Sequence, residues 1–255
     1  MIKILKVIVL VLVVLIVTSF ALGTYKNNPK VIINKVFKGG HVQGQIYKYR
    51  IYAFGFLPVG EAVFNKVESK EIKGECLYHI NAKAKSLDIV SLFFKAEAIL
   101  DSYVDCATLN PVSFKQKLVI SGKPDQEREA TYDQKEGFMT LAGIKREILP
   151  NTQDPLSLVY NLKKMDFTKN KDIEMGINTN QKNYVLKGTI EQKQIDNADY
   201  KVYSGKADIR RRDKDNPYHR SQVTMWFVKD KENIPILIKV FASGFYMTIR
   251  LVEVE

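Results

Sequence analysis

Lys95–Asp105 reads KAEAILDSYVD, and its rhythm decides the fold. Ala96, Ala98, Leu100, Ser102 and Val104 fall on one side of an extended chain. Lys95, Glu97, Asp101 and Asp105 share the other with Ile99 and Tyr103. A period of two with one wet and one dry side is the pattern of a half-buried antiparallel strand. The same rhythm recurs outward in both directions: Tyr47, Tyr49, Ile51 and Ala53; then Val112, Phe114, Gln116, Leu118 and Ile120; then Tyr200, Val202 and Ser204. Turn chemistry separates the runs at Ser121–Pro124, Gln134–Gly137, Lys187-Gly188 and Asp213–Pro217. Roughly ten to thirteen strands are expected, about as many as an open twisted sheet tolerates before it curls or splits.

One stretch breaks the rhythm. Asp154-Pro155 followed by Leu156, Val159, Leu162 and Met165 predicts a helix: an aspartate cap, proline in the first turn, then apolar spacing of three. Lys163 and Lys164 sit where the helix C-terminus favours positive charge. Ser86–Phe94 is strongly apolar and fits either a helix or a strand. The expected fold is mainly β, a strongly curved antiparallel sheet or open β-barrel with one short helix near 154–164.

The N-terminus carries an address. Lys3 and Lys6 precede an apolar run from Val7 to Ala21, broken only by Thr18 and Ser19, and small residues follow at Ala21 and Gly23. This predicts a signal peptide over 1–23, cleaved after Gly23, or, if uncleaved, a membrane anchor. Either form places the rest of the chain outside the cytoplasm, in the periplasm or another envelope compartment. Residues 24–44 read as a linker that admits an edge strand, and 45–255 as one β-rich exported domain. Net charge is +11, and would be +9 without Lys3 and Lys6. Such a surplus suits anionic surfaces. Export argues against nucleic acid, and the charges are interleaved with Glu and Asp as on a solvated surface.

Two cysteines, Cys76 and Cys106, bound two of the alternating runs. If those runs pair as a hairpin, the cysteines meet at its open end, where an oxidising compartment permits a disulfide; a pair of half-buried thiols is the alternative. No nucleophile elbow, zinc helix or dinucleotide-binding glycine loop occurs. A Ser-His-Asp or Cys-His assembly needs one of the three histidines, His41, His79 and His219, beside a nucleophile, and Cys76 and His79, three apart, fall on opposite sides of a strand, which disfavours a dyad. Asp213, Asp215 and His219 crowd one turn, which fits a charged hairpin tip better than a metal site. No catalytic residue, metal or cofactor is expected.

Arg210-Arg211-Arg212 is the densest positive cluster. It suits a carboxylate or phosphate by bidentate hydrogen bonds, although an exposed strand end would look the same. Thirteen Tyr and thirteen Phe supply core area, and a half-barrel can keep an apolar hollow that side chains do not fill.

Four landmarks in order resemble a bacterial family. Tyr49–Phe64, YRIYAFGFLPVGEAVF, is similar to its opening strand pair with a Gly-x-x-Pro-x-Gly turn. Asp154–Tyr160, DPLSLVY, resembles its mid-chain helix start. Trp226-Phe227-Val228 running to Ile234-Pro235-Ile236 resembles its late Trp-strand and Ile-Pro-strand, and Gly244 leads the closing strand. The family is that of exported proteins known as domain of unknown function 3108, matched from about Ile46 to Val252. The resemblance implies a signal-bearing, mostly β envelope protein without established catalytic residues.

Three functions follow from these readings. The first is a non-enzymatic envelope protein holding a lipid or other amphipathic ligand in the sheet's concavity, with Arg210, Arg211 or Arg212 at the rim. The second is a scaffold joining an envelope protein through sheet edges or Ser86–Phe94. The third is a glycan-processing hydrolase, for which Asp101, Asp105 and Asp154 are the candidate carboxylates.

Overall fold

The computed structural model describes residues 27–37, 45–65, 67–72, 74–179, 181–195, 200–212, 220–242 and 244–255. The expected signal or anchor over 1–23, His41, and the turn with Asp213, Asp215 and His219 lie outside them. Among the described residues, fifteen strands form one antiparallel sheet. In chain order they are β1 (Tyr47–Ala53), β2 (Leu57–Phe64), β3 (Glu68–Ile72), β4 (Glu75–Ser86), β5 (Ala96–Asp105), β6 (Pro111–Ile120), β7 (Gln126–Asp133), β8 (Phe138–Leu141) and β9 (Ile144–Glu147). Then follow β10 (Asp172–Thr179), β11 (Lys182–Lys193), β12 (Lys201–Arg211), β13 (Arg220–Lys229), β14 (Asn233–Ala242) and β15 (Phe245–Val254). Three helices are described: α1 (Pro29–Val36), α2 (Asp88–Ser91) and α3 (Pro155–Lys164).

The alternation read from Lys95–Asp105 is realised in β5. Ser102 and Val104 are fully buried while Glu97 and Ile99 face water. Neighbouring strands run β10 through β15, then β1, β2, β4 and on to β9, with β3 pairing the first half of β4. Thus β15, last in the chain, lies beside β1, and the two sheet edges, β9 and β10, are consecutive in sequence.

These edges do not pair, but the chain between them seals the gap. Gln153 donates its backbone N–H to Gly176 O at 2.8 Å and accepts from Asn178 N–H at 2.8 Å, a single parallel bridge to β10. Asn183 donates through Nδ2 to Glu147 O at 2.7 Å, and Gln181 through Nε2 to Leu141 O. The approach is close: a Cβ on Gly176 would lie 2.8 Å from Thr152 Oγ1. The fold is therefore an open β-barrel, as the strand pattern predicts, and a hydrogen-bonded seam runs along its gap.

The same segment then turns inward as α3. Asp154 caps it, accepting the backbone N–H of Leu156 and Ser157, while the Ser157 hydroxyl accepts the N–H of Asp154. Leu156 and Tyr160 pack into a core with Ile80, Val104, Tyr132 and Met139. Leu162, followed by Phe167, packs into a second with Leu186, Tyr203 and Phe227. The hollow expected of the concave face is thus occupied by this helix, because its apolar residues spread around two sides.

Residues 29–36 form a helix rather than an edge strand, which corrects the linker reading of 24–44. Asn28 caps Lys30 N–H, Pro29 opens the first turn, and Ile32, Ile33 and Phe37 pack with Val202, Val228 and Ile236. Val202 and Val228 alternate with Tyr203 and Phe227, which face α3's side of the sheet. Strands β12 and β14 are therefore covered on both faces along their first halves, where 202–205 and 233–237 are buried consecutively. Ser86–Phe94 holds only the four-residue α2 before returning to β5.

Candidate functional site

The register gives the barrel two distinct ends. At one, here the tip, lie the β1–β2 and β14–β15 turns, the start of the β4–β5 connection and the end of β12. At the other, the mouth, lie the start of β1, the β13–β14 turn, the C-terminus of α3 and the cysteines.

A cleft of about 540 Å³ opens at the mouth. Three tyrosines wall it: Tyr47 from β1, Tyr78 from β4 and Tyr160 from α3. Lys163 and Lys164 follow from the last turn of α3, and Asp230, Lys231 and Glu232 from the β13–β14 turn. Asn233 fixes the turn to the helix by donating through Nδ2 to Leu162 O and Met165 O at 3.0 and 2.6 Å. Glu232 binds both lysines, Lys163 Nζ at 3.2 Å and Lys164 Nζ at 2.5 Å. Lys163 Nζ lies 4.3 Å over the Tyr47 ring and Lys164 Nζ 5.5 Å over that of Tyr160.

Burial shapes the charges here. It pushes the Lys163 ammonium below its ordinary pKa, against the pull of Glu232. It is the largest influence opposing the charged forms of Lys164 and Glu232 too, but their hydrogen bonding and charge attraction together outweigh it, so Lys164 is raised and Glu232 lowered. Burial, helped by Glu232 and Asp230, pushes the Tyr47 hydroxyl up to about 12. The cleft thus presents three lysines against two carboxylates, between aromatic walls. Beneath it a narrow slot runs between Tyr49, Phe64, Ile80, Leu156 and Pro235. Its room of about 20 Å³ suffices for about one water or methyl group.

The residues expected from sequence scatter. Arg210–Arg212 stand at the tip, at the far end of β12 from the cleft, so they do not form its rim; Arg210 lies 3.4 Å from Asp208. Cys76 and Cys106 are joined in a disulfide at the mouth, Cα–Cα 5.5 Å. The three candidate carboxylates do not converge. Asp101 takes His79 Nε2 at 2.8 Å and Asn81 Nδ2 at 2.8 Å. Asp105 caps the turn at Ala107 and Thr108. Asp154, wholly buried, caps α3 and accepts the Ser102 hydroxyl at 2.6 Å. Ser102 and Asp101 are adjacent on β5 and so face opposite sides of the sheet. Among the described residues no group of three His, Cys, Asp or Glu side chains could hold a metal ion, and no helix is long and apolar enough to cross a membrane.

Sequence reasoning missed the cleft because its walls come from β1, β4, α3 and the β13–β14 turn, far apart in the chain. Its one local signal was Lys163-Lys164 at the end of a helix with an apolar face.

No curated protein matches this chain. Among solved structures it is similar to a β-barrel-like protein of domain of unknown function DUF1849 from Brucella abortus, with a TM-score of 0.58 and 10% identity. That match covers 85% of this chain and 98% of the other, and it speaks for the fold alone. The family model described as "Protein of unknown function (DUF3108)" matches residues 48–249, from the first strand to the middle of the last. The chain belongs to the DUF3108 family.

Proposed function

We propose that this protein is a non-catalytic binding module of the cell envelope, and that its mouth cleft takes an amphipathic ligand with an anionic head. The tyrosine walls offer apolar faces for the body of such a molecule, and Lys164 and Lys231 offer the head its counter-charge. The observation that carries this reading is the pairing of aromatic walls with lysines held at a helix C-terminus in one cleft. The ligand lies in the cleft and not along the barrel axis, because α3 fills the interior and the slot below has no room for an acyl chain. An extracytoplasmic address is supported by the Val7–Ala21 segment and by the Cys76–Cys106 pair, which oxidising compartments favour. A binding role is also supported by the employment of Asp101, Asp105 and Asp154 in pairs and caps.

The test is native mass spectrometry of the purified protein after incubation with an envelope lipid extract. An adduct is expected, and the Lys164→Glu/Lys231→Glu variant, checked for an unchanged circular-dichroism spectrum, should lose it. Absence of an adduct, or its full retention in that variant, would refute the cleft as the binding site.

A further inference from the structure

The tip carries what the mouth lacks. Leu92 and Phe93 are 79% and 88% exposed and Ile89 is 70% exposed, all in the β4–β5 connection. Phe54 and Leu57, at the β1–β2 turn, and Phe245, opening β15, are about half exposed. The register gathers them. Ala53 faces Met247, the Phe54 and Phe245 rings meet edge-on at 5.2 Å, and Leu87 N–H donates to Val59 O as the β4–β5 connection leaves the sheet. Phe54 holds a φ of 52°, a left-handed conformation that a bulky side chain seldom adopts. Large apolar side chains on several adjoining turns at one end of a molecule mark a contact surface.

Where the chain reaches the described body says what that surface meets. Asn27 donates through Nδ2 to Gly55 O at 2.5 Å, so the chain joins the sheet at the β1–β2 turn. Only Thr24, Tyr25 and Lys26 separate it from Gly23 and the apolar Val7–Ala21 run. The most membrane-compatible stretch of sequence is therefore tied to the end bearing the exposed apolar side chains. The charged cleft lies at the other.

We propose that the tip docks on a lipid bilayer, inserting Phe54, Leu57, Ile89, Leu92, Phe93 and Phe245 into its interfacial layer with the mouth cleft facing away. An apolar wedge of this kind adds a second membrane contact to whatever the N-terminal segment supplies, and two contacts hold where one exchanges. This does not depend on what the cleft binds.

The full chain is incorporated into vesicles of three parts zwitterionic to one part anionic phospholipid with brominated acyl chains. Two variants are compared with the parent, whose one tryptophan is Trp226. Phe93→Trp puts an indole at the tip, and Glu75→Trp puts one at the mouth; both positions are exposed. The indole added by Phe93→Trp should lose most of its emission to the bromolipid and resist aqueous acrylamide, whereas that added by Glu75→Trp should behave oppositely. Acrylamide access at both positions with no bromolipid quenching would overturn the proposal. So would shielding of the tip indole without lipid, rising with protein concentration, which would assign the face to a second copy. Shielding only on adding an envelope protein fraction would assign it to a protein partner and equally overturn it.

Discussion

Asp154 joins seam, helix and sheet through one carboxylate. Its Oδ1 takes the first two N–H groups of α3, and its Oδ2 takes the Ser102 hydroxyl from β5. Asp154→Ala would strip the cap and strand three buried donors, costing about 2–4 kcal/mol, to be read as a lower urea midpoint. Burial raises this carboxyl above its ordinary 3.8, against the pull of those hydrogen bonds. The folded chain thus keeps the proton to higher pH than the unfolded one. The stability this contributes is complete below 3.8 and is lost as pH climbs through the raised folded value. The urea midpoint of wild type should therefore fall relative to that of Asp154→Asn, which does not titrate, as pH rises above 3.8. A wild-type midpoint that rises with pH relative to that variant would contradict the assignment.

Between elements, the seam and the disulfide are the joints most open to test. Gly176→Val would press two methyl groups and a Cβ into Thr152, already 2.8 Å from where that Cβ would stand. It should destabilise by about 1–3 kcal/mol and raise amide exchange in β10 above that in β12. The Cys76–Cys106 bond closes a 30-residue separation, so the double serine variant should lose about 3–4 kcal/mol by loop entropy in a denaturant titration under oxidising conditions. The elements differ in how plainly the residues declare them. Helix α3 is legible because Asp154 and Pro155 mark its start and its apolar residues recur every third position. Helix α1 carries the same start signal in Asn28-Pro29, yet Val31, Ile32, Ile33 and Val36 are β-branched and read equally well as strand. Only its packing against the outer face of β14 and β15 decides. The arginine cluster misled because strand direction, set by long-range register, determines which end of the barrel it reaches.

Taken as one body, the barrel separates a charged cleft from an apolar tip by the length of its strands. Sites that far apart and sharing no partners act independently. The Lys164→Glu/Lys231→Glu change should leave bromolipid quenching at the tip as it was, while Phe93→Ser should leave ligand adducts unchanged and weaken vesicle binding in flotation. Loss of both functions from either change would show that the two ends are coupled. The curved sheet itself is legible from the period-two pattern, since every strand with one wet side must bury the other. That α3 fills the hollow is not, because helix amphipathicity gives no direction in space.

The pairing of β15 with β1 has a consequence for how the molecule comes into being. Glu255 exchanges backbone hydrogen bonds with Ile46, so the two ends of the sheet-forming sequence are zipped together at its middle. During synthesis the β1–β9 half must wait, with the outer side of β1 unmated, until the last ten-residue strand has emerged. Such a late, distant pairing makes assembly slow. In that interval Tyr47–Ala53 is the segment a chaperone, or another nascent copy, would find first.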